Sequence, residues 1–314
     1  MSFRGRASLL LASALLVTAC TAAATPAPTA APPTAAPTAA PSTVASASTA
    51  PATAAPATPI AGGLLDKVLK AGVLTVSTDP NYAPQSVQKP DGTYEGFDID
   101  VATEVAKRLG VTVKFVTPDW AIITAGSWAG RWDISVGSMT VTADRQKVLD
   151  FSPPYYYTPA QLTASVASGI TTIDGLAGKT ICAGAATTYL DWLDGKKLDF
   201  GSLSPTTSPP AGIKTVALKT DALCPQTWKS GRNDFQGWLS SSTTVDGAIA
   251  GGLPVVKVGD PVYFEPLAIA VDKSGPADTD FVAQLTKIVT DMHADGTLTA
   301  MSQKWFKTEL TKGP

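Results

Sequence analysis

Arg145 is the residue whose chemistry is easiest to read. It closes the run Met139-Thr140-Val141-Thr142-Ala143-Asp144-Arg145. A guanidinium presents a planar fork that matches two carboxylate oxygens, and it keeps its charge when dehydrated. A carboxylate ligand is one reading, and a solvated arginine near a capping Thr142 is the plain alternative. Histidine chemistry is nearly absent, because His293 is the single histidine in 314 residues. Neither a Ser-His-Asp triad nor a multi-histidine metal site is expected, and no catalytic residue, metal or cofactor is assigned. Lys and Arg number 24 against 26 Asp and Glu, a net charge of -2. A nucleic-acid-binding domain would carry a basic face.

The three cysteines divide by position. Arg4 and Arg6 precede an apolar stretch from Leu9 to Val17, too short to span ~30 Å of hydrocarbon as a helix. It ends in Leu16-Val17-Thr18-Ala19-Cys20, which looks like a bacterial lipobox. On that reading residues 1–19 form a lipoprotein signal peptide and Cys20 is the lipidated residue; an ordinary signal peptide with an incidental cysteine is the alternative. Residues 20–63 are read as a disordered Ala/Pro/Thr tether, since 21–60 hold no charge and no large apolar residue beyond one Val and one Ile. Cys182 and Cys224 remain as one even pair in an oxidising compartment, either bonded or as two buried thiols.

Positioning such residues requires a scaffold. Short β-branched runs alternate with helical stripes from 64 to the end. Strands are expected at 73–76, 111–115, 133–136, 179–182, 213–218 and 235–239. Helices are expected after Asp98 as cap with Gly110 as stop, near Ile122, from about Thr187, around 245–249, and through Phe281, Leu285, Ile288, Val289 and Met292. This βαβ rhythm predicts an α/β fold with mixed, mostly parallel sheets.

An ordered series of motifs then suggests a relative. It comprises Asp79-Pro80-Asn81-Tyr82-Ala83-Pro84, Gly92-Thr93-Tyr94-Glu95-Gly96-Phe97-Asp98-Ile99-Asp100-Val101 and Trp120. It continues through Trp132-Asp133-Ile134, the run 139–145, and Asp150-Phe151-Ser152-Pro153-Pro154-Tyr155. Over roughly 73–310 the chain resembles the family 3 extracellular solute-binding proteins, the polar amino-acid receptors of ABC importers. The resemblance implies a two-lobe, type II clamp with two crossover strands. Lobe 1 would be 64–159 plus 265–314, and lobe 2 would be 160–264.

The resemblance also implies roles. Arg145 would hold a ligand carboxylate. Ser138 and Thr140 would contact the ligand by hydroxyl or backbone. Tyr82 and Trp120 would cover its side chain, and Asp79 would meet a polar side chain. Ala186-Thr187-Thr188 sits where the family has Gly-Thr-Thr at a helix N-terminus, so Thr187 would close on the carboxylate from the other lobe. One departure stands out. The family's ammonium-binding aspartate should fall five residues after Asp234, where this chain has Leu239. Ser240, Ser241, backbone carbonyls or Glu265 are the candidate replacements, or the ligand is not a standard α-amino acid, or the strand register is shifted.

The function expected is a membrane-anchored receptor that captures an amino acid or related small carboxylate. It would deliver that ligand to an ABC permease, as a monomer, from the periplasm or the outer face of the cytoplasmic membrane. A cyclohexadienyl-dehydratase-like enzyme on the same fold and a ligand-sensing receptor are the alternatives.

Overall fold

The computed structural model describes residues 56–314. The signal peptide, Cys20 and most of the proposed tether lie outside the described residues. The last stretch of that tether belongs to the folded unit: the Ala57 N–H donates to Gln284 Oε1 at 2.8 Å and the Ile60 N–H to Asp280 Oδ2 at 2.7 Å. Ordered chain thus begins before residue 64, which corrects the expected boundary.

The chain starts α1 (Leu64–Ala71), β1 (Val73–Ser77), β2 (Asn81–Tyr82), β3 (Ser86–Gln88), β4 (Tyr94–Glu95), α2 (Phe97–Leu109) and β5 (Thr112–Val116). It continues through α3 (Trp120–Thr124), β6 (Ile134–Thr140), β7 (Leu149–Phe151), β8 (Tyr156–Ser165), β9 (Thr180–Gly184), α4 (Thr188–Leu193) and β10 (Lys214–Leu218). Then come α5 (Leu223–Lys229), β11 (Gly237–Ser241), α6 (Ser242–Ala250), β12 (Val255–Lys257), β13 (Tyr263–Asp272), α7 (Thr279–Ala294) and α8 (Thr297–Phe306).

One ten-stranded sheet runs in the order β10-β9-β11-β8-β13-β6-β1-β5, with β12 on β8 and β7 on β13. Its wings are parallel, through β1 with β5 and β6 and through β9 with β10 and β11. Its centre is antiparallel, β13 pairing with both β8 and β6. The βαβ rhythm reports the wings. It does not report β8 and β13, the long strands on which the two halves meet.

Those strands also divide the core. Tyr156 on β8 and Leu267 on β13 pack with α1, α2, α7 and α8. A few residues away, Ala160 and Leu162 on β8 and Tyr263 on β13 join a second core with Ile181, Trp192 and Leu239. Each crossover strand thus passes from one core to the other, as a type II clamp requires. A disulfide joins Cys182 on β9 to Cys224 on α5.

Helix α2 buries Val101, Ala102, Val105 and Ala106, a face repeating at i and i+4. It ends at Gly110 with φ 74°. Asp98 is not its cap. The N-cap is Gly96 at φ 136°, where a Cβ would meet Gln85 O at 2.2 Å, so glycine is required. Asp98 is instead the second residue of the helix and wholly buried. Its carboxyl accepts from Ser138 Oγ and Tyr155 OH, both at 2.7 Å.

Candidate functional site

The cleft between the two cores encloses about 490 Å³, including the part open to solvent. Each wall comes from the end of a strand or the loop that follows it. The loop after β1 supplies Asp79, and β2 supplies Tyr82. Trp120 opens α3, and the end of β6 supplies Gly137, Ser138 and Thr140. Across the cleft stand Thr187, Thr188 and Tyr189 at the start of α4, and Lys219, Thr220 and Asp221 between β10 and α5. Glu265, on crossover strand β13, forms part of the floor.

Arg145 projects into this cleft from just beyond β6 and is only 9% exposed. Its Nη1 donates to the Thr140 carbonyl at 2.9 Å, and its Nη2 reaches the Ala186 carbonyl on the far wall at 3.1 Å. The guanidinium carbon lies 5.5 Å from the centre of the Trp120 ring. Trp120 Nε1 donates to the same Ala186 carbonyl at 3.2 Å. Burial pulls the Arg145 pKa down and the Glu265 charge opposes this, so a stable cation sits in a dehydrated wall.

Glu265 is 1% exposed and accepts from Thr140 Oγ1 at 2.8 Å and from Thr188 Oγ1. Burial pushes its pKa up, against those hydroxyls, Tyr189 and the Arg145 charge. Asp221 is 4% exposed and accepts from Ser240 Oγ. Its carboxyl is pushed up to about 7, by burial first and further by the negative charge of Asp79. Asp79 is itself raised by burial, opposed by the Asn81 N–H and by Lys219. Lys219 is engaged elsewhere, its Nζ 2.6 Å from Asp119 Oδ1.

The halves touch at the cleft's inner edge. Tyr82 OH donates to Ser241 Oγ at 3.0 Å, and Gln85 Nε2 donates to Thr243 Oγ1 at 2.6 Å. Two non-glycine residues at positive φ lie in the chain of the two walls, Ser138 at 55° and Ala186 at 59°, the latter next to Thr187 and with its carbonyl on Arg145. Such backbone is held at a cost of ~1–3 kcal/mol per residue and gathers at functional sites. At Ser138 it accompanies a break in register between β6 and β13.

Eight residues given a candidate role in the sequence therefore meet in one cleft: Asp79, Tyr82, Trp120, Ser138, Thr140, Arg145, Thr187 and Glu265. Several hydroxyls are turned away from a ligand. Ser138 Oγ donates to Asp98 and Thr140 Oγ1 to Glu265. Thr187 is the N-cap of α4, accepting from the Leu190 N–H at 3.2 Å and donating to the Gly184 carbonyl at 2.7 Å. Ser240 does not line the cleft. It is wholly buried and holds Asp221, so the reading of Ser240 as a direct ligand contact is corrected to a supporting one. Leu239 is wholly buried in the second core, which explains why an acid is not found there. Sequence reasoning missed Asp221, Lys219, Thr220 and Tyr189, and gave Thr188 no role of its own. Among the described residues no group of three or more His, Cys, Asp or Glu is placed to hold a metal ion.

Comparison with known proteins adds four findings. The model for bacterial extracellular solute-binding proteins, family 3, matches residues 74–308. The L-cystine-binding protein TcyJ of Escherichia coli (strain K12) is 31% identical over 258 residues, 80% of this chain and 88% of that protein. A cyclohexadienyl dehydratase of Pseudomonas aeruginosa is 35% identical over only 91 residues, 29% of this chain and 34% of that enzyme. Among solved structures, a mutant of ArgBP from T. maritima superposes with a TM-score of 0.66 at 25% identity. It covers 78% of this chain and 100% of that one.

Proposed function

This chain belongs to the bacterial extracellular solute-binding proteins of family 3, and on that premise we propose that it is the amino-acid receptor of an ABC importer. One observation carries the reading. A buried guanidinium, Arg145, shares one cleft with two aromatic rings, Tyr82 and Trp120, and with buried acids. A zwitterion needs both signs of charge, since desolvating either end without a partner is costly. Arg145 takes the carboxylate, exchanging its bond to the Ala186 carbonyl for a two-pronged bond to the ligand. Tyr82 and Trp120 flank the side chain.

The same reading gives one lobe that runs from the ordered segment ahead of α1 to 159 and again over 265–314, and a second of 160–264, closing about β8 and β13 by a hinge motion. It makes the protein a monomer, anchored outside the cytoplasm through Cys20, that delivers its ligand to a permease. Among the described residues no helix is long and apolar enough to cross a membrane. The anchor at Cys20 rests on the lipobox-like run Leu16-Val17-Thr18-Ala19-Cys20. Mass spectrometry of the membrane fraction from its own host tests this. A processed but unmodified Cys20 overturns the anchor.

L-Cystine heads the ligand panel because a 31% identical relative carries that name. The decisive experiment is a thermal-shift screen against L-cystine and the twenty standard amino acids. A ligand at ~100 times its Kd adds ~2.7 kcal/mol to stability. No shift from any of them overturns the amino-acid reading. We assign no catalysis, and incubation with prephenate or arogenate followed by ultraviolet absorbance checks that assignment.

A further inference from the structure

We propose that Asp79 and Asp221, one from each wall, form a clasp that closes on the ligand's ammonium group, with Asp221 supplying from a loop the acid that strand β11 lacks. The proposal rests on the amino-acid reading and goes beyond it. It names the residues that recognise the cation, and it makes cleft closure depend on one.

The placement of Asp221 is built. Ser240 Oγ donates to its carboxylate, and the side chain is 4% exposed while still lining the cleft. Its main chain is fixed from two sides. The Cys224 N–H donates to the Asp221 carbonyl at 3.0 Å, and Cys224 is bonded to Cys182. Two residues after Cys182, Gly184 passes so close that a Cβ there would lie 2.8 Å from the Asp221 nitrogen. Strand β11 meanwhile offers no carboxylate. Leu239 is in the core, Ser240 faces Asp221, and Ser241 Oγ accepts from Tyr82 OH.

This end of the cleft carries more acid than base, two carboxylates against one lysine. Asp79 and Asp221 come from opposite walls and line the same cleft. The nearby lysine, Lys219, is paired with Asp119 on the surface. Beside Asp221, Thr220 lines the cleft with a buried Oγ1 that has no hydrogen-bond partner. Two carboxylates and a free hydroxyl around one space can together accept the three protons of a primary ammonium. Two like charges brought together without a cation repel, so a ligand with only a carboxylate does not hold the lobes shut.

The clasp also links binding to protons. Asp221 faces Asp79 from the β1–β2 loop, Tyr82 from β2, Tyr189 from α4 and Lys219 from its own loop. An arriving ammonium favours the ionised carboxylate, so binding releases a proton near pH 7.

The test uses the tightest-binding member of the panel and its des-amino analogue, which for L-cystine is 3,3′-dithiodipropionate. Titration calorimetry is run on the wild type, Asp221→Asn and Asp79→Asn. Each substitution keeps the side-chain shape, and Asp79 lies in a partly exposed loop, so at least one folded variant is secured. Asp221→Asn is expected to lose at least about a hundredfold in affinity for the amino acid and less than threefold for the analogue. Wild-type affinity should rise about tenfold from pH 6 to pH 8, and that rise should vanish in Asp221→Asn. An Asp221→Asn protein that binds the amino acid within threefold of wild type overturns the clasp alone. So does an unchanged pH profile. A wild type that binds no member of the panel overturns the amino-acid reading and the clasp with it.

Discussion

Keeping the Cys182–Cys224 pair reduced should cost the protein about 4 kcal/mol of stability. The bond closes a loop of sequence separation 42. The chain-entropy relation for a cross-link of that span gives ~4 kcal/mol at 25 °C, removed from the unfolded ensemble. Both cysteines are wholly buried, packed with Trp228, Phe235 and Trp238. Reduction leaves two thiols in place of the bond, so it opens little cavity. The perturbation is therefore nearly pure cross-link loss. Urea unfolding of the oxidised protein is compared with protein unfolded and refolded in a phosphine reductant. For a slope of ~1–3 kcal/mol per molar urea, the midpoint should fall by ~1.3–4 M. Burial adds a kinetic expectation: reductant given to the native protein should act only as fast as the structure opens. Midpoints within ~0.3 M of each other would refute the reasoning, as would two freely labelled thiols in unfolded, unreduced protein.

Three further outcomes follow from the cleft and its supports. Arg145→Ala should weaken binding of the panel ligand by at least ~3 kcal/mol, more than a hundredfold, because a buried carboxylate loses its partner. Arg145→Lys should also lose heavily for want of the fork, and calorimetry within threefold of wild type would remove Arg145 from the site. Gly184→Ala should lower ligand affinity more than it lowers stability, because the new methyl displaces the Asp221 backbone; paired calorimetry and urea melts read the two effects. Asp98 carries a carboxyl raised to about 7 by burial, against hydrogen bonds from Tyr155 and Ser138. Its contribution is full below the unfolded value near 3.8 and is lost as pH rises through about 7. Asp98→Asn should therefore gain on wild type in urea midpoint between pH 5 and pH 8, and a constant difference across that range would disprove the linkage.

The sequence exposed what repeats or what a motif marks. β1 and α2 were legible because alternation and the i, i+4 face are local. Arg145, Tyr82 and Trp120 were legible because they stand within a recognisable series. Asp221 was hidden, because Lys219-Thr220-Asp221 reads as any polar loop. Only the parallel register of β10 on β9, with Val216 opposite Cys182, carries that loop to the cleft edge. Ser240 and Ser241 show how fine the distinction is. One step along β11 changes the partner from Asp221 to Tyr82 and Gln85, since neighbouring strand residues point to opposite sides. Asp98 looked like a cap because caps are usually acids or hydroxyls. Its burial beneath Ser138 depends on β6, far along the chain, which no local pattern reports.

The place of β13 in the sheet sets an order of assembly. It lies between β8 and β6, and its Ala268 pairs with Met139. Strands β1, β5 and β6 are made early, yet the core beneath them also needs Leu267, Ile269, Phe281 and Leu285 from near the end. The segment from β9 to β12 pairs largely within itself and with β8, so it is able to collapse and oxidise its cysteines while the rest waits. A chain emerging N-terminus first therefore holds its early strands open until β13 and α7 arrive, and long-range closure of that kind is slow. The binding cleft is completed last, when Arg145 and Tyr82 finally gain a rigid backing. A chain truncated ahead of β13 would keep both cysteines of the disulfide but lose Tyr263 from the second core, and it would have no receptor.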